Sequence, residues 1–216
     1  MKISNIVVFV VLAATLPLGS AHASIVTGSF GISVYQGPGG GLITSPGVQA
    51  NAANPLIAPL YHLYTGTYTG PIDFKDLGTN DILTFLLSAG GSLSGITTAL
   101  STTMSTPTFA LTTVLDITWA DAAALSGTID HDDGVTLYLN GGAITPAASA
   151  VPTVEIETAF AAGGGGAYRL IYVAGNGLPE VLSVDVVVPE VSALATWSLL
   201  GLVTSVFLNR RKSSRV

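Results

Sequence analysis

Apolar and polar residues alternate with a period of two through much of this 216-residue chain. Leu115, Ile117 and Trp119 would share one face of a strand, with Asp116 and Thr118 on the other. Similar patterns predict further strands at residues 25–34, 61–64, 72–74, 126–130, 135–139, 154–157, 168–173 and 181–188. Short strands at near-regular spacing predict an antiparallel β-sandwich.

Turn and loop residues separate these segments. Asn140-Gly141 predicts a hairpin, glycines fill residues 163–166, and residues 36–59 predict a long loop rich in Gly, Pro, Asn and Ala. Residues 82–87 fit a strand or a helical turn equally well. The Ser/Thr-rich residues 92–108 fit either a segment carrying O-linked sugar or a polar edge strand and loop.

The amino terminus has the three parts of a secretory signal peptide. Lys2 precedes an apolar run over residues 6–16, which is too short to span a membrane, and Ala21-His22-Ala23 follows it. Signal peptidase would cut after Ala23, so that the mature chain begins at Ser24.

The carboxyl terminus carries a second apolar segment. Residues 191–208 contain no charge, and at 1.5 Å per residue they would extend about 27 Å, close to the roughly 30 Å apolar thickness of a bilayer. Arg210, Arg211 and Lys212 follow and would stay on the cytoplasmic side of the inner membrane, with the rest of the chain outside. A plain single-span anchor and a buried core helix are the alternatives.

The order of features at this end resembles the PEP-CTERM sorting signal. Val188-Pro189-Glu190 precedes the apolar span, and Arg210-Arg211-Lys212 follows it, although Val191 stands where a second proline is usual. The resemblance implies processing by exosortase in a Gram-negative bacterium that makes exopolysaccharide. It also implies a final location at the cell surface or in the extracellular matrix.

Removing both terminal signals changes the charge of the chain. The whole sequence has a formal charge of −6, but between residues 24 and 190 only Lys75 and Arg169 oppose all 13 acidic residues, which leaves −11. A segment this acidic would repel nucleic acid, which argues against nucleic acid as a partner. The chain has no cysteine, so the exported part would be stabilised by packing or by a metal rather than by disulfides.

One acidic cluster has the chemistry of a metal site. Residues 130–134 read Asp-His-Asp-Asp-Gly, and oxygen ligands of this kind suit Ca²⁺. The spacing is not that of an EF-hand, and His131 has only His62 as a second imidazole once His22 leaves with the signal, which argues against zinc. The alternative is a solvated acidic turn.

The segments around this cluster resemble the second half of a PA14-type domain. They are residues 131–141, 168–173 and 177–182. The resemblance implies a β-sandwich of jelly-roll type, in which lectin members hold Ca²⁺ through adjacent aspartates, here Asp132 and Asp133, and the ion contacts sugar hydroxyls. Asn176, on a loop expected at the same end of the sandwich, is a further candidate ligand.

Motifs for hydrolysis are missing from the sequence. There is no Gly-x-Ser-x-Gly elbow and no His-Glu-x-x-His pair, and the i, i+2 spacing of Glu155 and Glu157 predicts a solvated strand face. The first hypothesis is therefore a non-enzymatic exported surface or matrix protein linked to exopolysaccharide or biofilm. A calcium-dependent carbohydrate-binding module is the alternative, and a secreted glycoside-active enzyme is the residual one.

Overall fold

Two antiparallel β-sheets make up most of the chain that the computed structural model describes, which is residues 22–95, 97–146 and 154–188. Ala23–Val188 form one compact unit. Most of the two predicted terminal signals lies outside the described residues: the apolar run of the signal peptide and Ala21 at one end, and Pro189, Glu190, the span over 191–208 and the basic tail at the other. Ala23 and Ser24 belong to the first strand. No helix in the described part of the chain has the length and apolar character to cross a membrane.

The strands and the α-helix follow one another in a simple order. In chain order the strands are β1 His22–Ile25, β2 Thr27–Gly37, β3 His62–Pro71, β4 Asp73–Asp76, β5 Ser92–Leu93, β6 Thr112–Asp121, β7 Ser126–Asp132, β8 Gly134–Leu139, β9 Gly142–Ala143, β10 Ile156–Ala161, β11 Gly166–Ala174 and β12 Glu180–Val188. The helix α1 spans Ile82–Leu87, and short 3-10 turns lie at Pro46–Val48, Pro59–Tyr61, Thr98–Leu100 and Pro107–Phe109.

The two sheets differ in size. The five-stranded sheet has the order β1, β12, β7, β10, with β4 also paired to β12, and the seven-stranded sheet has the order β5, β3, β2, β6, β11, β8, β9. Alternate residues of both sheets face a shared apolar core. The buried core residues include Phe30, Ile32, Tyr68, Leu115, Ile117, Leu137, Leu170 and Tyr172 from one sheet and Phe74, Ile129, Phe160, Leu182 and Val184 from the other. The predicted antiparallel β-sandwich is confirmed.

A second apolar cluster lies on the outer face of the seven-stranded sheet. Val114, Ile171 and Val173 alternate with core-facing residues, and the long loop predicted at residues 36–59 covers them with Val48 and Leu56. Because both faces of β11 are buried near its end, its sequence reads as an almost continuous apolar run. The loop is therefore part of the packing of the fold rather than a flexible turn.

The hairpin and the ambiguous segments have clear outcomes. Leu139 pairs with Gly142 across Asn140-Gly141, both of which have positive φ, as a tight hairpin requires. Residues 82–87 are a helix because Asp81 accepts a hydrogen bond from the Thr84 amide at 2.9 Å and caps its first turn. The polar edge strand predicted within residues 92–108 is β5.

Two features of the five-stranded sheet differ from expectation. β12, predicted simply to finish the sheet, lies inside it, because it pairs with β7 on one side and with β4 and β1 on the other. The alternation over 154–157 does not mark a buried face, since Val154 and Ile156 are 68% and 49% exposed and β10 begins only at Ile156. Glu155 and Glu157 are exposed, as predicted.

The close approach of β7 to β12 makes Gly127 sensitive to substitution. A Cβ atom at this position would lie 1.9 Å from the carbonyl oxygen of Asp185. We expect Gly127→Ala to lower the free energy of unfolding by roughly 1–3 kcal/mol, the usual cost of overpacking. Urea unfolding would measure this. Gly163→Ala is the control, because nothing lies within 4 Å of its Cβ, and equal stability of the two variants would contradict the prediction.

Candidate functional site

Two crossings between the sheets meet at one end of the sandwich. Asp132, Asp133 and Gly134 carry the chain from β7 to β8, and residues 175–179 carry it back from β11 to β12. The crossings are neighbours because Val181 pairs with Asp132 and Val173 pairs with Gly134. The peptide bond between Asp132 and Asp133 is cis. The predicted ligands Asp132, Asp133 and Asn176 are thus brought to the same end of the fold.

The Asp133 carboxylate connects the two crossings directly. Its Oδ2 accepts hydrogen bonds from the backbone amides of Gly175, at 2.7 Å, and Asn176, at 3.0 Å. Asp133 is 4% exposed and Asp132 is 2% exposed. The solvated acidic turn is therefore wrong as a description of this segment. Asp130, by contrast, is only partly buried and lies in register with Glu157 of β10 and Ser183 of β12.

A third carboxyl group, Glu180, lies at the start of β12 and is fully buried. Ser105 Oγ donates to its Oε1 and itself accepts from the Gly177 amide at 2.9 Å. The Tyr172 hydroxyl lies 3.0 Å from Glu180 Oε2 and also contacts the Asp132 carbonyl oxygen. The network joins the 175–179 crossing to the segment before β6. These roles could not be predicted from the sequence, because Glu180 is a lone acid before an apolar strand.

Asn80 holds the Ser105 segment in place. Its side-chain amide donates to the Ser105 carbonyl oxygen at 2.8 Å and its Oδ1 accepts from the Ser105 amide at 3.1 Å. Asn80 has a positive φ of 53°, a conformation that Asn adopts more readily than most residues. Three loops, one before β6 and one at each crossing, are thereby fixed relative to one another.

His131 is a structural residue of this end of the fold. One ring nitrogen contacts the Asp133 carbonyl oxygen and the other lies 2.8 Å from Thr158 Oγ1. Both nitrogens therefore have protein partners, and burial lowers the pKa of the imidazole. His62 is exposed and contacts Thr65 Oγ1 at 2.7 Å.

Burial changes the ionisation of the carboxyl groups at this end of the fold. Among the described residues, ion pairs join Arg169 to Asp116 and Lys75 to Asp73. Burial raises the pKa of Asp133 to about 7, with a further increase from Asp132, and raises the pKa of Glu180 to about 9. Burial also raises the Tyr172 pKa well above its ordinary value. The site therefore retains protons that exposed carboxyl groups would lose.

The oxygen atoms at this end fit a hard cation such as Ca²⁺ in chemical type. Among the described residues, no group of three or more His, Cys, Asp and Glu side chains is arranged to hold a metal. Asp132 and Asp133 would therefore need backbone carbonyl or amide oxygens to complete a shell, and the Asn176 loop is the nearest predicted source.

Comparison with known proteins gives two similar solved structures. One is the PA14 sugar-binding domain of an RTX adhesin, 19% identical, with 74% of this chain and 87% of that chain covered and a TM-score of 0.46. The other is the PA14 domain of the antifreeze protein MpAFP, 14% identical, with 78% and 85% covered and a TM-score of 0.48. No protein-family model matches the chain, and no curated protein matches it. The antiparallel sandwich is established by the strand pairing above.

The raised pKa values of Asp133 and Glu180 predict an unusual dependence of stability on pH. Unfolded carboxyl groups ionise near pH 4. The folded chain therefore keeps a proton that the unfolded chain has lost, up to about pH 7 on Asp133 and up to about pH 9 on Glu180. Stability from these groups is full below about pH 4 and is lost as the pH rises through those values. His131 acts in the opposite sense only below about pH 6.5.

With chelator present, we expect the free energy of unfolding, measured by urea, to fall between pH 6.5 and pH 9. Its slope should be at most about 1.4 kcal/mol per pH unit for each proton. Glu180→Gln should flatten the alkaline part of this pH dependence, because an amide does not titrate. The fold should tolerate the change, because the amide can donate to the Tyr172 hydroxyl while that hydroxyl donates to the Asp132 carbonyl oxygen. A free energy of unfolding that rises over this interval would contradict the assignment.

Proposed function

We propose that this chain is a non-enzymatic exported protein of the cell surface or extracellular matrix whose sandwich binds carbohydrate through Ca²⁺ at Asp132 and Asp133. The observation that carries the proposal is the burial of two consecutive aspartates at the loop that contains Asn176, whose backbone amide donates to Asp133. Desolvation of adjacent carboxylates is costly, and a divalent cation relieves it. In the PA14-type lectins that residues 131–141 resemble, the same pair of acids performs this role.

The backbone contacts of Asp133 suit such a site. One carboxylate oxygen is held by the Gly175 and Asn176 amides, which fixes the orientation of the side chain and leaves Oδ1 without a backbone donor. When bound, Ca²⁺ would supply a charge to which sugar hydroxyls bind. The Gly175 and Asn176 amides orient Asp133, and the surrounding residues keep water from most of the surface of both aspartates.

Export and sorting complete the proposal. Signal peptidase would cut after Ala23, and an exosortase-type enzyme would read Val188, Pro189 and Glu190 with Arg210, Arg211 and Lys212. The inner membrane would hold the apolar span at 191–208 before processing. The acidic, cysteine-free body and its predicted link to exopolysaccharide fit a polysaccharide-rich matrix as the destination, with extracellular polysaccharide as the partner.

Calcium should stabilise the native state. We expect Ca²⁺ to raise the thermal unfolding midpoint of the full chain, and chelator to reverse the change, because binding to the folded state alone shifts the equilibrium. The Asp132→Asn, Asp133→Asn double variant should show no increase. Mg²⁺ is the ion control, since its stricter octahedral geometry and tight hydration should make it bind more weakly to such a site.

An increase of equal size in the double variant would place the ion elsewhere, and no increase in the parent chain would remove the metal site. Binding of the calcium-loaded protein to a glycan array, lost on chelation and in the double variant, would then test recognition of sugar.

The mass of the exported protein should report both processing events. We expect a chain that begins at Ser24 and ends near Pro189, because the sorting resemblance implies removal of the tail. Intact-mass spectrometry of protein recovered outside the inner membrane measures this directly. A mass that retains residues 191–216 would favour a permanent anchor, and one that retains residues 1–23 would contradict signal cleavage.

A further inference from the structure

A pocket lies at the opposite end of β8 from the two aspartates. Its volume is about 460 Å³, within the range of about 300–1,000 Å³ that is usual for small-molecule sites. The six residues of β8 run from Gly134, beside Asp133, to Leu139, a distance of about 17 Å at 3.3 Å per residue. The pocket is therefore separate from the candidate calcium site.

Strand ends, a hairpin and the long covering loop form the walls of this pocket. Its residues are Ala52, Thr118, Trp119, Tyr138, Asn140, Gly141, Ala167, Tyr168 and Arg169. The Trp119 and Tyr168 rings stack on the core face of the sheet, where Tyr168 is 1% exposed, so the ring that a ligand on the outer face meets is that of Tyr138, which packs against the outer apolar cluster. A partly exposed aromatic ring of this kind provides apolar contact area for the C–H face of a ligand.

Polar groups of the pocket keep hydrogen-bond donors available after their contacts within the protein are made. The Tyr138 hydroxyl accepts from the Ala52 amide at 3.0 Å, and this bond does not use the hydroxyl proton. Asn140 Oδ1 accepts from the Ala167 amide at 3.0 Å, and this bond does not use the protons of Nδ2. Both side chains can therefore donate to a bound oxygen atom.

Arg169 adds donors to the pocket without adding net charge. Its Nε and Nη2 donate to the two carboxylate oxygens of Asp116, each at 2.8 Å, and this fork does not use Nη1. The Arg169 side chain is 34% exposed. Because the pair is neutral and residues 24–190 carry a charge of −11, an anionic polymer would be repelled by the body as a whole.

We propose that this pocket binds a residue of a neutral polysaccharide without calcium. Donors from Tyr138, Asn140 and Arg169 would contact the acceptor oxygens of the sugar, and the Tyr138 ring would contact its C–H face. The exported domain would then have two carbohydrate contacts, one at each end of β8, and a single molecule would bind neutral polysaccharide even when the calcium site is empty.

The test measures binding of the full chain, in chelator, to immobilised neutral glucan, galactan and mannan, with alginate as the anionic comparison. We expect binding to at least one neutral polymer that exceeds binding to alginate. Tyr138→Phe removes the hydroxyl and keeps the ring. Asn140→Asp keeps the acceptor for the Ala167 amide and tolerates the positive φ at this position, but replaces the donor.

Each of these two variants should weaken binding by about fivefold or more, the effect expected for a lost hydrogen bond of roughly 1 kcal/mol or more. Ala161→Asp, at an exposed position of β10 in the other sheet, adds the same charge as Asn140→Asp and should leave binding unchanged. The Asp132→Asn, Asp133→Asn variant should also bind normally. Thermal unfolding of each variant shows whether a loss reflects the pocket rather than the fold.

Several results would overturn the inference. They are binding to none of the neutral polymers, stronger binding to alginate than to any of them, and unchanged binding in both pocket variants. Binding that requires Ca²⁺ and disappears in the Asp132→Asn, Asp133→Asn variant would also overturn it, while supporting the calcium site. The failure of one site is thus distinguishable from the failure of the other.

Discussion

The Asp133 carboxylate, held by the amides of Gly175 and Asn176, is the interaction on which one end of the molecule depends. It joins the crossing from β7 to β8 to the crossing from β11 to β12. A sandwich needs such links, because each sheet satisfies its own backbone hydrogen bonds but not those of the connections between sheets. A buried acid performs this task at an energetic cost that an apolar residue would avoid. The cost is concentrated where the candidate cation site lies.

The rest of that end is arranged around the same polar groups. Glu180 lies at the start of β12, Tyr172 reaches it from β11, and Ser105 reaches it from the segment before β6. Such networks are stable only when most of their members have partners. His131 is part of the support, because its ring bridges the Asp133 carbonyl oxygen and Thr158 of the neighbouring strand. The acidic segment is thus a core feature of the fold rather than a surface turn.

Much of the fold could be predicted from local patterns. Alternation at Leu115, Ile117 and Trp119, and the turn at Asn140-Gly141, predicted strands and a hairpin that the structure confirms. Neither the order of the strands nor the role of the loop at residues 36–59 could be predicted, because both depend on contacts between residues far apart in sequence. The same limit applies to the site. The resemblance around residues 131–141 indicated Asp132 and Asp133, whereas Glu180, Tyr172 and Ser105 join them only through folding.

The interior position of β12 has a consequence for the order of events during biosynthesis. β1, β4 and β7 come early or midway along the chain, yet they are assembled into one sheet only by Glu180–Val188, the last strand of the described residues. A nascent polypeptide that has not yet emerged past this segment cannot complete that sheet. The five-stranded sheet is therefore completed only after Glu180–Val188 has been synthesised, and a chain that stopped before this strand would leave β1 and β4 without their common partner.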